Sequence, residues 1–518
     1  MRLPGSSVAR PSVACPSVAR SALAPSQEAL ARLAGPQRLL IGAVWREGTG
    51  TRFETENPST GTVLTSLAGA SDADLDDAVA AARQGLEQGW GLMKPRDRQR
   101  VLLRFADLLE RDADRIGELM TLDNGMALDS ARAVVRLLAA EIMRYYAGWA
   151  TKIAGESFTP AVGARAQDFL VATLREPVGV VGAIVPWNAP AGMIAMKLGP
   201  ALAAGCTVVL KTAELAPLVG GPMAELLLEA GAPPGTVNLL HGLGHETGAA
   251  MARHPGIDKI AFTGSTAVGR EIVRAATGNL KRVTLELGGK SPVIVFPDAD
   301  LDAVVPAAAW ACLVSSGQAC MAGTRLFLHD DIHDAVVERI AAFIADMRIG
   351  DGMEPGTALG PLISARQKAR VLDYIRIGQA EDGATLLQGG VDLPGPGHFV
   401  SPAIFIGVRM EMRIAREEIF GPVLSVLRFS DEAALLRDVN ATRYGLSGSV
   451  WTRDLSRALR LARRIDSGQV AINAHAAMSP ETPFGGNRES GWGRELGREG
   501  LDAYLKTKAI SIMTGPAS

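Results

Sequence analysis

Residues 178–210 read VGVVGAIVPWNAPAGMIAMKLGPALAAGCTVVL, and this stretch decides the fold class. A β-branched run at 178–185 is followed by the turn residues Pro186 and Asn188. An apolar run at 190–204 then holds helical period, and a second β-branched run closes the unit at 207–210. Strand, helix and strand in succession describe a parallel crossover, the building block of an α/β protein. Outward from it, strands are predicted at 237–240, 259–262 and 282–287, with helices at 217–230, 244–253 and 265–276 between them. This is a doubly wound sheet, whose ligands gather at the carboxyl ends of the strands. A second series at 293–296, 325–328, 423–429, 447–451 and 469–473, with a helix at 454–465, predicts a second α/β lobe. Upstream, 72–84, 95–111, 113–123 and 130–148 read as helices, with Ser71 and Ser130 as caps, packed on the first lobe. Segments 169–174 and 509–513 read as strands for pairing between subunits.

The chain has 518 residues, too many for one hydrophobic core, so two or three lobes are expected. Hydrophobic residues make up 47% and charged residues 21%, which excludes a disordered or fibrous chain. A net charge of -2 creates no field to gather nucleic acid or anionic lipid, so the expected partner is a small molecule. No apolar run reaches the roughly 18–20 residues of a membrane span. Cys15, Cys206, Cys312 and Cys320 are too scattered for a disulfide framework, which points to a reducing compartment, the cytoplasm. The first 27 residues repeat SSVAR, PSVAC and PSVAR and carry no acid. Two readings stay open there: a transit peptide, which would place the chain in an organelle matrix, or a disordered or mis-started extension.

Four residues stand where chemistry is possible. Cys320, in SSGQACMAGTR, follows a helix in a polar loop where a thiolate reaches a ligand; Cys206 and Cys312 sit in apolar runs and read as small core residues. Glu286 ends an apolar strand ahead of Gly288 and Gly289, either as a surface acid or as a general base at the ligand-binding edge. Asn188 follows a strand, either as a helix cap or as an amide donor to an oxyanion. Ser265 opens a helix whose free N–H groups suit a pyrophosphate. Gly242, Gly244 and Gly248 give only a weak nucleotide signal, and Lys211 with Glu214 follow a strand where an acid accepts from a ribose diol. The pairs His241 with His245 and His329 with His333 lack a third ligand, so no metal is expected, and His254, His398 and His475 read as ordinary loop or surface residues.

Taken together these segments resemble the aldehyde dehydrogenase superfamily from Asn57-Pro58 to the C-terminus. PWNAP at 186–190, LKTAE at 210–214, FTGSTAVG at 262–269, LELGGKSP at 285–292, GQACMAG at 317–323, EEIFGPV at 417–423 and PFGGNRESGWGRELG at 483–497 carry the resemblance. It implies a Rossmann-like coenzyme domain (41–158 and 178–288) and a second α/β catalytic domain (289–488). It also implies a small bridging β-sheet (159–177 and 505–518) that builds homodimers or homotetramers, after a variable extension at 1–40. The resemblance makes Cys320 the nucleophile, Glu286 the general base and Asn188 the oxyanion donor, with Lys197 and Glu495 as accompanying groups. It implies NAD as cofactor, held by Val185, Pro186, Trp187, Lys211, Glu214, Gly244, Gly248, Phe262, Thr263, Gly264, Ser265, Leu287, Gly288, Glu418 and Phe420. NADP is disfavoured because Glu214 would repel a 2′-phosphate.

The substrate pocket implied by the resemblance comprises Ala189, Gly192, Met193, Met196, Val314, Ala319, Met321, Met478 and Phe484. Their small or flexible apolar character predicts a wide tunnel for bulky hydrophobic aldehydes, unless a neighbouring segment fills it. Three departures from the family pattern are Thr212 for proline, Arg488 for lysine and Ala189 for a bulky residue. A CoA-acylating relative typically lacks the glutamate at 286, and a catalytically silent relative would have lost Cys320, Glu286 or Asn188. A zinc alcohol dehydrogenase would need clustered ligands that this chain lacks.

Overall fold

The computed structural model describes residues 23–163 and 165–515. Five parallel strands form the centre of the first lobe: β1 (Val180–Ile184), β2 (Thr207–Lys211), β3 (Val237–Leu240), β4 (Lys259–Thr263) and β5 (Arg282–Glu286). They lie in the order β3-β2-β1-β4-β5 within an eight-stranded sheet. The antiparallel pair Leu39–Ile41 and Val44–Arg46 flanks one edge, and Gly491–Trp492 flanks the other. β1 to β4 are buried along their whole length and centred on apolar residues, because both faces of the sheet are covered. Val181 and Ala183 of β1 pack on one side with Val208 and Leu210 of β2. Val180, Ile184 and Val209 pack on the other, as a side-chain period of two requires.

Helix α1 (Ala113–Asn124) and helix α2 (Pro190–Ala204) lie on the first of these faces. α2 opens with Pro190 in its first turn and stops at Gly205, whose φ of +94° lets it close the helix in the left-handed conformation. The cap predicted at Ser71 is present, and Asp74 completes it as a capping box.

The strand register positions the site. Ile184 pairs with Lys211 and Thr263 pairs with Glu286, so the groups that follow these strands emerge along one carboxyl edge. Leu287 to Ser291 then lead straight into the second lobe, where β6 (Pro292–Val295), β7 (Arg325–His329), β8 (Ala403–Ile406), β9 (Val423–Phe429), β10 (Ser447–Trp451) and β11 (Gln469–Ile472) are parallel. Their order is β8-β9-β7-β6-β10-β11, with Thr385–Gln388 antiparallel on the β8 edge.

Several expectations change. The extension expected over 1–40 is structured from Gln27: Ser26 caps the helix Gln27–Ala34, Ala29 is buried, and Ser26 also donates to Glu118. Residues 1–22, and with them most of the repeated segment, lie outside the described residues. Ser130 is no cap but lies inside the helix Leu128–Ala133, because the chain turns helical two residues earlier, after Ala127. The predicted helices over 130–148 and 244–253 contain π turns at Val134–Ala139 and Gly244–Gly248. The strand segments expected at 169–174 and 509–513 belong to one sheet within the chain, in which Phe169–Pro177 pairs in antiparallel register with Leu505–Met513 on one side and with Ser157–Phe158 on the other. Among the described residues no helix is long and apolar enough to cross a membrane.

Candidate active site

Asn188 is not the cap of α2. The capping position falls on Ala189, and the Asn188 amide Nδ2 donates to the Gln318 carbonyl at 3.0 Å, two residues before Cys320. The amide therefore faces the loop that carries Cys320 and not the start of α2.

The loop that carries Cys320 is wound tightly after helix α3 (Leu301–Leu313). Ser315 and Ser316 hold φ of +51° and +56°, a left-handed conformation that costs a side-chain-bearing residue on the order of 1–3 kcal/mol. Surrounding hydrogen bonds hold it in place. Ser316 Oγ donates to the Gly360 carbonyl at 2.7 Å, and Gln318 Nε2 donates to the Ser315 and Pro361 carbonyls at 3.1 and 3.3 Å. The Ile363 N–H donates back to Gln318 Oε1 at 2.9 Å. Gly317 is required here, since a Cβ on it would fall 2.2 Å from the Gly421 carbonyl oxygen. Cys206 and Cys312 are buried, as their core reading expected, whereas Cys320 is only partly so. Burial, then the charges of Glu286 and Glu418, push the Cys320 thiol well above its ordinary value, against the pull of its own and the Met321 N–H.

His475 is not an ordinary surface residue. Its Nε2 donates to the Met321 carbonyl at 2.9 Å while Nδ1 meets Ser449 Oγ at 2.9 Å. Burial lowers its pKa, and the neutral ring with its proton on Nε2 satisfies both contacts. His398 is likewise buried, against Glu56 at 2.6 Å.

Glu286 ends β5 with both carboxylate oxygens buried and without a hydrogen-bond partner among the described residues. Burial pushes its pKa up to about 8, opposed by the charges of Lys197 and Arg494. Such an acid is held for a ligand or a water. Lys197, fully buried in α2, forms an ion pair with Glu495 and donates to Thr263 Oγ1 at 2.7 Å. Burial brings it down to about 7.

At the ends of β2 and β3, Lys211 Nζ donates to the Thr212 carbonyl at 2.9 Å and lies 3.4 Å from Glu214 Oε2. Glu214 Oε1 accepts from the Gly244 N–H at 3.3 Å. The departure at Thr212 has a structural consequence, a 2.8 Å contact with His241 Nδ1. Ser265, expected to open a helix, is the cap that precedes it: its side chain accepts from the Val268 N–H at the start of Thr266–Ala276. Glu418 accepts from the Gly289 N–H at 3.0 Å, and a Cβ on Gly288 would collide with that carboxylate. Trp187 and Phe420 meet edge to face, ring centroids 5.3 Å apart. Val185 and Phe262 are buried behind these groups. Arg488 stands apart, donating to Asp466 and to the Asn440 and Thr442 carbonyls.

One cavity of about 680 Å³ joins these parts: Trp187, Thr263, Gly264, Ser265, Gly288, Glu418 and Phe420 wall it together with Cys320, Asn188, Glu286 and Glu495. The N-terminus of the helix that follows Ser265, on this wall, matches a pyrophosphate, while the Glu214 carboxylate beside the buried Lys211 ammonium, outside the cavity lining, matches a ribose diol. Met193, Met196 and Phe484 add apolar lining. Ala189, Met321 and Met478, expected in the pocket, are partly buried against the same extended core as Cys320 but do not wall the cavity. Ala319 and Val314 do not wall the cavity; Val314 is 38% exposed at the end of α3. The open space expected at Gly192 is corrected, since a Cβ there would lie 2.8 Å from the Leu138 side chain.

Sequence reasoning missed the helix Ala365–Ala380, from which Gln367 donates to the Phe420 carbonyl at 2.7 Å and Arg370 to the Glu418 carbonyl at 2.6 Å. These partners lie about fifty positions apart, and only the Ser364 cap marks the segment locally.

Residues 45–510 match the aldehyde dehydrogenase family. The chain is 45% identical to aldehyde dehydrogenase 1 of Tanacetum cinerariifolium, over 89% of this chain and 92% of that protein. It is 42% identical to phenylacetaldehyde dehydrogenase of Pseudomonas fluorescens, over 92% of this chain and 96% of that one. The NAD+ complex of an aldehyde dehydrogenase from Bacillus cereus superimposes with a TM-score of 0.93 at 40% identity, covering 96% of this chain and 100% of that chain.

Proposed function

The chain belongs to the aldehyde dehydrogenase family, and we propose that it oxidises bulky hydrophobic aldehydes, aromatic or medium-to-long aliphatic, to acids through a thioester on Cys320. It is an NAD-dependent oxidoreductase acting on aldehydes. The observation that carries the substrate reading is the lining of the cavity that Cys320 shares with Met193, Met196 and Phe484. Leu138 fills the space beside Gly192 with another apolar side chain.

Cys320 Sγ forms the bond to the aldehyde carbon, and the Asn188 amide and the Cys320 N–H donate to the alkoxide that develops. Lys211, Glu214, Ser265 and Glu418 would hold NAD, which would supply the hydride acceptor; hydride lost from the alkoxide carbon leaves a thioester on Cys320 Sγ. Glu286 then takes a proton from water, which attacks the thioester and frees the acid and the thiol. The buried, unpartnered carboxylate supports hydrolysis over transfer of the acyl group to CoA.

An aldehyde series followed by the absorbance of reduced nicotinamide tests the substrate class. Each methylene buried adds about 0.8 kcal/mol, so kcat/KM should rise several-fold per step until the tunnel is full. Acetaldehyde or a charged semialdehyde outperforming hexanal and benzaldehyde would overturn the wide apolar tunnel.

Glu214 also predicts the coenzyme preference. A 2′-phosphate held about 4 Å from its carboxylate would be repelled by more than about 1 kcal/mol, so NAD should exceed NADP in efficiency by at least about fivefold. Glu214→Ser should narrow that ratio. Equal efficiency in the unaltered enzyme would show that Glu214 is not at the ribose.

The three free cysteines among the described residues accord with a reducing compartment, cytoplasm or organelle matrix. The sheet built on Phe169–Pro177 and Leu505–Met513 exposes Leu170, Leu174, Ile510 and Ile512, a surface suited to a homo-oligomer contact.

A further inference from the structure

The end of α1 touches all three working parts of the site. Its last two residues, Asp123 and Asn124, are buried, and the helix stops at Gly125 with φ +79°. Asp123 Oδ2 accepts from the Leu218 N–H at 2.7 Å, in the segment that follows Glu214, while its Oδ1 accepts from Thr55 Oγ1 at 2.9 Å. Asn124 Nδ2 donates to the Trp187 and Asn188 carbonyls, both at 3.3 Å. The Met126 N–H, which can only donate, binds Asn124 Oδ1 at 2.9 Å and so fixes which end of the amide faces those carbonyls.

The same turn abuts the loop that supports the nucleophile. A Cβ on Gly125 would lie 2.6 Å from Pro361, and a Cβ on Gly360 would lie 2.0 Å from the Gly125 carbonyl oxygen. Gly360 and Pro361 in turn accept from Ser316 and Gln318, and the Gln318 carbonyl accepts the Asn188 amide. Contact this close between backbones leaves little freedom for either segment to shift alone.

We propose that Asn124 and Asp123 are positioning residues. Asn124 acts through the Asn188 main chain to aim the amide at the reacting oxygen, and Asp123 acts through Leu218 to set the segment that carries Glu214. The proposal rests on the reading of Asn188 as oxyanion donor.

A double-mutant cycle on the whole enzyme tests it, with the pre-steady-state burst of reduced nicotinamide and the KM for NAD as readouts. Asn188→Ala should slow the burst by roughly 10²–10³, the usual loss for one oxyanion donor. Asn124→Asp keeps the acceptor for Met126 but turns two donations into repulsions, and should slow the burst about tenfold with KM for NAD unchanged within about twofold. In combination the two should cost no more than Asn188→Ala alone. Asp123→Asn should do the opposite, raising KM for NAD about tenfold while the burst at saturating NAD stays within about threefold.

If Asn188→Ala slows the burst less than threefold, the oxyanion reading fails. If it shows its full loss while Asn124→Asp is silent or additive with it, the positioning proposal alone fails. An Asp123→Asn variant that slows the burst without moving KM overturns the Asp123 half. Asn124→Ala provides a second variant, and failure of both to fold would make Asn124 a purely structural residue, against the proposal.

Discussion

Replacing Cys320 with alanine is expected to lower turnover by roughly 10⁵–10⁶, the scale on which loss of a catalytic nucleophile falls in enzymes of covalent mechanism. The size of the effect follows from the site: among the residues that wall the 680 Å³ cavity, Cys320 is the one cysteine, and its neighbours offer no second soft nucleophile. The thiol of the resting site is held neutral by burial and by the charges of Glu286 and Glu418, so ionisation must be coupled to binding or to transfer of the proton. NAD binding should survive, because the coenzyme-side groups sit on β2, β4 and the segment around Glu418, outside the 315–323 loop. Isothermal titration with NAD and steady-state assay of the purified variant check both halves. Turnover within a hundredfold of the parent would remove Cys320 from the mechanism. Cys206→Ala and Cys312→Ala, deletions in packed interiors, should instead lower the melting temperature.

Glu286→Gln should separate the half-reactions. Acylation needs the thiol and the oxyanion donors, whereas hydrolysis needs a base, so the variant should give a burst of reduced nicotinamide and then stall. Intact-mass measurement should find the acyl adduct on Cys320, and a burst without an adduct would count against the assignment. The pH dependence has a definite sign. A carboxyl raised to about 8 is mostly protonated at neutral pH, with roughly a tenth ionised at pH 7. Because the base works only when ionised, single-turnover deacylation should rise about tenfold per unit between pH 6 and 7 and level off above about 8. Glu286→Gln should lose that rise, and a flat profile in the unaltered enzyme would sink the base role.

Much of this was legible in the sequence. The strands at 237–240, 423–429 and 447–451 and the helices at 95–111 and 190–204 could be placed to the residue. Period-two burial and helical stripes are properties of neighbouring positions. The loop setting of Cys320, the strand-end placing of Glu286, the Ser71 cap and the helix start near Ser265 are local in the same sense. Ser130 failed as a cap for a local reason too, since a serine inside a helix looks the same on paper as one that starts it.

Other features depended on partners far along the chain. Whether Asn188 caps a helix or faces the nucleophile was decided by the Gln318 carbonyl, 130 positions away. The space beside Gly192 was taken by Leu138 from a π turn, and His475 found the Met321 carbonyl from 154 positions off. The sequence by itself determined the α/β architecture and the family resemblance, because backbone periodicity and motif order are one-dimensional. Only the tertiary structure decided where the Asn188 amide points, what fills the space beside Gly192 and how burial shifts Glu286 and Cys320. Orientation, free volume and desolvation are set by atoms that packing, rather than chain order, brings within a few ångströms.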